Sequence, residues 1–95
     1  MDFTAFDLRV GTVVEAAAED GALRLVIDLG GVRRGAVSHI TENYGPDDLL
    51  GQQVVAVAVP GGAAGEVVVL AAVSPSQGAV VLRPDRPVAN GTQVV

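Results

Sequence analysis

The stretch Phe6–Glu15 constrains the fold more than any other part of the chain. Apolar residues alternate with polar ones as far as Val10, Gly11 interrupts the pattern, and the apolar run resumes at Val13. A period of two is typical of a β-strand with one buried face, and a residue without a side chain permits a bend. A long, bent first strand suits a small closed barrel, because it can contribute to both halves of a curved sheet.

The rest of the chain predicts further strands separated by turns. Asp20-Gly21 is a favoured hairpin pair, and Gly30-Gly31 predicts a second tight turn. The strands are predicted at Leu23–Leu29, Val32–Ile40, Val54–Val59 and Val67–Val73, followed by Ala79–Leu82 and a short final strand at Thr92–Val95. Arg83–Pro87 is predicted to be an extended edge segment, because its prolines lack the amide donors that a sheet requires.

One segment, Thr41–Gly51, is predicted to be helical. Pro46 suits the first helical position, Asp47 and Asp48 complement the positive end of the helix dipole, and Gly51 can end the helix. At one to two turns this helix is expected to plug a barrel end. A shorter helical turn is predicted at Asp2–Ala5 with Thr4 as its cap, and Pro60–Gly65 is predicted to be a connector.

The order of these elements predicts an all-β fold. A hairpin, a third strand, a short helix and a second hairpin describe a five-stranded Greek-key OB-fold barrel with one short helix between strands 3 and 4. An SH3-like barrel is the alternative, but it does not predict a helix at that position. Ninety-five residues form one domain, residues 1–95, and a hydrophobic content of 49% supplies a dense core.

The charge balance limits which ligands the chain can bind. Six cations, all of them arginine, face eleven carboxylates, and the net charge is −5. Nucleic-acid affinity comes largely from neutralising phosphates, so a large basic face is excluded. The absence of cysteine excludes disulfides and thiolate metal sites. There is no basic-plus-apolar leader and no run of about 20 apolar residues, so the expectation is a soluble, cytoplasmic protein without a membrane partner.

Several phrases of the chain together resemble a known family. They are Asp7–Val13, His39–Thr41 with Tyr44, Asp48–Leu49, Gly51–Val57, Glu66–Ala72, Pro84–Val88 and Gly91-Thr92. In order and spacing they resemble the tRNA-binding-domain family. That family includes stand-alone tRNA-binding proteins, modules appended to aminoacyl-tRNA synthetases, and the CsaA-type export chaperone. The Gln53–Val57 and Glu66–Leu70 phrases are similar to the CsaA branch in particular. The resemblance implies an OB-fold barrel that binds tRNA or unfolded polypeptide.

The chain departs from the family pattern in two loops. Val59 stands where the family usually has Asn, the following basic loop shrinks to Pro60–Ala64, and Gly65 replaces a Ser. The loop between the first two strands is only Glu19–Gly21. Both loops belong to the edge that would grip RNA, so the sequence predicts weakened or lost tRNA binding.

The candidate RNA- or partner-binding residues lie on the second and third strands. They are Arg24, Arg33, Arg34, Ser38 and His39. Arg24 and Arg33 are expected to contact phosphates on the open face of the barrel, and His39 to stack on a base. The alternative is that these residues are solvated and pair with nearby carboxylates.

A second set of residues is predicted to form a dimer interface. It consists of Val67, Val69, Arg83, Pro84, Arg86 and Pro87. The resemblance implies that the C-terminal tail helps two subunits to associate, and Val67–Leu70 is so uniformly apolar that both of its faces are expected to be covered. The alternative is that the tail closes the barrel of its own chain.

No constellation in the sequence predicts catalysis, a metal or another cofactor. His39 is the only histidine, and no nucleophile with an orienting acid accompanies it. Glu42, Asp47 and Asp48 match no calcium loop. The sequence therefore predicts a non-enzymatic, dimeric, chaperone-like polypeptide binder with weakened or lost tRNA binding. The alternatives are a tRNA or single-stranded RNA binding protein, and a minimal OB scaffold, natural or engineered, without a ligand.

Overall fold

A computed structural model describes residues 7–58 and 66–95, which contain seven strands and one helix. The elements are β1 (Leu8–Glu19), β2 (Ala22–Asp28), β3 (Arg33–Ser38), α1 (Pro46–Leu49), β4 (Gln53–Ala58), β5 (Val67–Val69), β6 (Ala71–Ser74) and β7 (Gly78–Val81). The predictions for Asp2–Ala5 with Thr4, for Phe6, for Val59 and for Pro60–Gly65 lie outside the described residues.

Strand β1 is the centre of a five-stranded antiparallel sheet with the order β3-β2-β1-β4-β5. Its first half pairs with β4 and its second half with β2, and the register shifts between Val13 and Glu15. A bridge between Gly35 of β3 and Glu66 beside β5 brings the two outer strands together. The sheet is therefore a nearly closed barrel, and the predicted OB-fold is confirmed.

Gly11 permits a close approach inside this barrel. A Cβ atom at this position would lie 2.5 Å from Cγ2 of Ile27 and 2.8 Å from the carbonyl oxygen of Asp28. The register shift that bends β1 comes two residues later than the glycine. Gly11 therefore allows close packing against β2, and the bend predicted at Gly11 is made by the bulge at Val13–Glu15.

The predicted hairpin turn and the predicted helix start are both confirmed. Asp20 and Gly21 both have positive φ, at 51° and 76°, as a two-residue turn between antiparallel strands requires. Helix α1 begins at Pro46 and has only four residues, because Thr41–Asn43 forms turns and Tyr44 and Gly45 are irregular. The amide of Gly45 donates to Oδ2 of Asp48 at 2.7 Å, and Leu49 is fully buried against the core.

The predicted fifth strand, Val67–Val73, is two strands. At Leu70 the chain changes partner, because its amide donates to Val55 of β4 while its carbonyl accepts from Leu82 beyond β7. Residues before Leu70 therefore continue the barrel, and residues after it form the β6–β7 hairpin.

A network that we name the C-terminal clamp holds residues 88–94 against the first half of β1. The side-chain amide of Gln53 donates to the carbonyl of Val88 at 2.6 Å and accepts from its amide at 3.1 Å. Thr12 and Gln53 both donate to Oδ1 of Asn90, at 2.9 and 3.0 Å. Backbone bonds from Val10 to Thr92, from Gly91 to Val10 and from Val94 to Leu8 complete the clamp. The predicted final strand is thus an extended partner of β1, with one bridge between Arg9 and Gln93.

The core lies between the strands and α1. Its most deeply buried side chains are Val13, Leu23, Ile27, Leu49 and Val54. Within the described ranges, no helix is long and apolar enough to span a bilayer.

Candidate ligand-binding face

The register of β1, β2 and β3 defines one exposed surface, which we name the ligand face. Residues directly opposite one another in antiparallel strands project to the same side of the sheet. The pairs of β1 with β2 and of β2 with β3 place the following residues on the outside: Glu15, Ala17, Glu19, Arg24, Val26, Asp28, Arg33, Gly35 and Val37. Two rows cross the face, Glu15–Val26–Gly35 and Ala17–Arg24–Val37.

The three predicted arginines do not form one patch. Arg24 and Arg33 project from the ligand face, but Arg33 lies opposite Asp28, four residues from Arg24 along β2, or about 13 Å at 3.3 Å per residue. Arg34 is opposite the fully buried Ile27 and therefore projects to the other side of the sheet, where it donates to the carbonyl of Arg33. A single phosphate cannot contact all three guanidinium groups.

The other two predicted residues of this set differ in exposure. Ser38 is only 9% exposed and lies opposite Leu23, so its hydroxyl faces the barrel interior. His39 follows β3, is exposed, and lines a hollow together with Arg24 and Val37. His39 is therefore accessible to a ligand, whereas Ser38 supports the strand from inside.

The electrostatic character of the ligand face is acidic. Nε of Arg24 lies 3.1 Å from Oε2 of Glu19, so the guanidinium nearest the centre of the face is already paired. The carboxylates on the face and its turn, Glu15, Glu19, Asp20 and Asp28, outnumber Arg24 and Arg33. A polyanion approaching this surface would meet net negative charge.

Two shallow hollows occupy the face on either side of Arg24. One of about 270 Å³ is lined by Glu15, Ala17, Val26 and Gly35, and the other of about 230 Å³ by Glu19, Asp20, Val37 and His39, with Arg24 contributing to both. Each hollow combines small or β-branched apolar side chains with carboxylates. This composition suits an uncharged or cationic ligand better than a phosphate backbone.

A second exposed surface, which we name the apolar stripe, lies on β5, β6 and β7. Val68, Val80 and Leu82 are 44%, 43% and 42% exposed. Ala72 lies opposite Val80 in the β6–β7 hairpin. Leu82 comes two residues after Val80, and its amide donates to the carbonyl of Leu70, which comes two residues after Val68. These side chains therefore share one outer face with Leu70 at its centre.

The predicted interface residues Val67 and Val69 lie on the inner side of β5. They are 6% and 8% exposed and belong to the core cluster, so the accessible member of β5 is Val68. The uniform apolar character of this strand is explained by burial on one side and by the apolar stripe on the other.

The tail residues Arg83–Pro87 border a hollow of about 360 Å³ together with Thr12, Gln52 and Gln53. Arg83 donates to Oε1 of Gln52 at 3.2 Å, and Arg86 lies 3.5 Å from Asp85. Pro84 is half-buried, while Arg86 and Pro87 are exposed. The tail therefore packs on its own barrel and also presents an outer surface.

The sequence reasoning missed Glu15, Glu19, Val26 and Val37 as members of the face. The turn at Asp20-Gly21 is the signal for Glu15, Glu19 and Val26, because a two-residue turn fixes which residues of β1 and β2 stand opposite one another, whereas Val37 is placed by the register of β2 with β3. In the described part of the chain, no three His, Cys, Asp or Glu side chains are grouped closely enough to hold a metal ion.

Comparison with known proteins finds relatives of two kinds, although no protein-family model matches the chain. The methionine–tRNA ligase of Methanothrix thermoacetophila is 49% identical over 59 residues, which cover 59% of this chain and 9% of that protein. The methionine–tRNA ligase of Thermotoga maritima is 43% identical over 60 residues, covering 60% and 10%. The chain thus spans about a tenth of the length of the curated relatives that it matches.

Solved structures match the chain over nearly its whole length. The chaperone CsaA of Bacillus anthracis has a TM-score of 0.87 at 38% identity and covers 99% of this chain and 94% of that one. The CsaA chaperone of Picrophilus torridus has a TM-score of 0.82 at 30% identity, covering 99% and 95%. A MetRS-related protein of Pyrococcus horikoshii, at 22% identity and a TM-score of 0.83, shares the fold.

Proposed function

Because the chain belongs to the CsaA-type branch of the tRNA-binding-domain family, we propose that it is a non-enzymatic, dimeric, chaperone-like module of the cytoplasm. It binds unfolded polypeptide and has weakened or lost affinity for tRNA. The observation that carries this proposal is the character of the ligand face, where Arg24 is paired with Glu19 and carboxylates outnumber arginines.

The apolar side chains of the face favour polypeptide as the ligand. Val37 is 43% exposed, Val26 lies diagonally from it on β2, and Ala17 lies on β1 at the other side of Arg24. Covering one such side chain with an apolar group of a bound segment contributes on the order of 1 kcal/mol. Extended segments have the right shape for a surface with two shallow hollows in line.

The apolar stripe supports self-association. Three large apolar side chains share one outer face there, and the tail that starts at Arg83 follows Leu82 directly in the chain. Exposed apolar patches of this kind mark interaction sites, and closed two-fold dimers are the commonest use of a self-complementary patch. Val67 and Val69 would then support the interface from inside while Val68 contacts the partner.

RNA binding is the second candidate function, favoured by the 49% identity with a methionine–tRNA ligase. Arg33 and His39 are the exposed groups that would contact phosphate and base. On this candidate, affinity for tRNA would fall steeply with salt, because phosphate neutralisation releases counterions.

A parallel titration separates the two candidates. Fluorescence anisotropy is measured with labelled, reduced and carboxymethylated α-lactalbumin, and with labelled tRNA, each at about 50 and about 200 mM salt. We expect saturable polypeptide binding at both salt concentrations and no tight binding of tRNA. Tight and steeply salt-dependent tRNA binding contradicts the proposal, and binding of neither ligand leaves the minimal scaffold as the description of the chain.

A pair of valine variants tests whether the ligand face is the site. Val37→Ser removes an apolar side chain from the face, and we expect about fivefold weaker polypeptide binding from the loss of roughly 1 kcal/mol. Val32→Ser is the control, because Val32 is similarly exposed, at 39% against 43%, but lies between β2 and β3 outside the face. Equal affinities of the two variants would place the polypeptide elsewhere on the protein.

Sedimentation velocity tests the dimer. We expect a two-fold larger mass than that of one chain, and dissociation when Val80→Glu places a charge in the apolar stripe. Val95→Glu introduces the same charge at another exposed valine, 82% exposed and outside the stripe, and should leave the dimer intact. A monomeric wild-type protein would end this part of the proposal.

A further inference from the structure

We propose that the ligand face is selective for extended segments in which two basic residues flank an apolar residue, with the basic residues four positions apart. This inference rests on the proposed function and deepens it, because it names the class of polypeptide that the face accepts. The residues that determine the selectivity are Glu15 and Glu19, which stand at the two ends of the face on β1.

The spacing of the two carboxylates sets the spacing of the basic residues. Glu15 and Glu19 are four residues apart on the same strand and project to the same side, a distance of about 13 Å at 3.3 Å per residue. In an extended ligand, residues i, i+2 and i+4 also share one side and repeat over the same distance. A ligand running along β1 therefore places its residues i and i+4 opposite the two carboxylates.

Where residue i+2 of such a ligand would lie, the face presents Ala17 opposite Arg24, whose guanidinium is held at the Glu19 end. Ala17 stands halfway between Glu15 and Glu19, and Val26 and Val37 lie on the neighbouring strands. Arg24 borders both hollows, one of which extends toward Glu15 and the other toward Glu19 and Asp20. An aliphatic side chain at i+2 would pack on Ala17, whereas Val37, which is 43% exposed, lies one strand beyond Arg24.

Arg24 does not reverse this charge pattern. Its guanidinium is held 3.1 Å from Glu19, and Asp20 follows directly in the turn, so the turn end of the face keeps an excess of one negative charge. Arg33 lies at the far end opposite Asp28, which offsets it. A cationic segment is therefore complementary to both ends of the face, while an acidic segment or a nucleic acid meets like charge.

The inference is tested with three labelled nine-residue peptides. The first carries Lys-Thr-Val-Thr-Lys at its centre, the second Glu-Thr-Val-Thr-Glu, and the third has its two lysines adjacent to one another. We expect the first peptide to bind about tenfold more tightly than the second and about threefold more tightly than the third, with an affinity that falls as salt rises.

Three variants that each remove one negative charge assign the effect to residues. Glu15→Gln should weaken binding of the first peptide about threefold, and Glu19→Gln about fivefold, because the second change also releases the charge of Arg24. Glu42→Gln is the matched control, since Glu42 is exposed in the segment before α1 and is not on the face, and its affinity should equal that of the unaltered protein. Circular dichroism spectra of all three should be identical.

The outcomes separate this inference from the proposed function. Binding of carboxymethylated polypeptide with equal affinity for the three peptides would overturn the inference and leave the function standing. Equal affinities of Glu15→Gln and Glu42→Gln for the first peptide would also overturn the inference. No binding of any polypeptide would overturn both, and tighter binding of a single-stranded RNA of the same length would replace the cationic segment with a phosphate ligand.

Discussion

The C-terminal clamp and the ligand face lie on the two halves of β1, and they are built in different ways. Around Thr12, five side-chain hydrogen bonds and three backbone bonds tie the C-terminal segment to β1 and β4. Around Ala17, the side chains of the face are joined by one exposed ion pair, between Arg24 and Glu19. The side chains of the clamp are therefore fixed by contacts within the chain, whereas those of the face are available to a ligand.

Two adjacent glycines in the turn between β2 and β3, of which one approaches the clamp, provide the strongest test of this difference. Gly30 and Gly31 have nearly the same positive φ, 87° and 90°. A Cβ on Gly30 would collide with the carbonyl oxygen of Asn90, whereas a Cβ on Gly31 would meet nothing within 4 Å. We expect Gly31→Ala to lower the free energy of unfolding by about 1–2 kcal/mol from backbone strain alone, and Gly30→Ala by about 3–4 kcal/mol because overpacking adds to it.

Urea unfolding followed by circular dichroism measures both losses. The difference in the free energy of unfolding between the two alanine variants measures the close approach of Gly30 to Asn90, because the backbone strain is the same in both. Equal losses would mean that the clamp yields easily to an added methyl group, and the contrast between the clamp and the face would disappear.

Gln53 tests the side-chain part of the clamp, with a smaller expected effect. Gln53→Ala removes the paired bonds to the backbone of Val88 and the bond to Asn90, and we expect a loss of about 2 kcal/mol. Gln52→Ala is the neighbouring control, because its recorded bond is to the exposed Arg83, and its loss should stay below about 0.5 kcal/mol. Faster amide exchange at Val88 and Val94 in Gln53→Ala alone would show that the clamp has opened.

The sequence predicted the fold wherever a local pattern determines the structure. Asp20-Gly21 fixes a two-residue turn, Pro46 fixes a helix start, and the alternation before Gly11 identifies β1. The clamp was not predictable in this way. It joins Gln53 to Val88 and Thr12 to Asn90 across 35 and 78 residues, and no local propensity reports such a contact.

The candidate site was predicted less completely, for two physical reasons. Adjacent strand residues project to opposite sides, so Arg33 and Arg34 could not share one patch, and only the register with Ile27 and Asp28 shows which one faces outward. In Val67–Val69 all residues are apolar, so the pattern has no alternation from which to identify the inner side. The acidic residues of the face were not predicted, because only cations indicate phosphate binding in a sequence.

The ion pair of the face gives the smallest expected change in stability and completes the comparison. Glu19 and Arg24 have side chains that are 55% and 63% exposed, so water and salt screen their attraction. In a double-mutant cycle of Glu19→Gln, Arg24→Gln and both together, we expect a coupling energy below about 0.5 kcal/mol in unfolding. A coupling above about 1.5 kcal/mol would make the pair part of the scaffold, like the clamp. A coupling energy below about 0.5 kcal/mol, found together with a fivefold lower affinity of Glu19→Gln for the cationic peptide, would mean that this pair determines which ligand binds but does not stabilise the barrel.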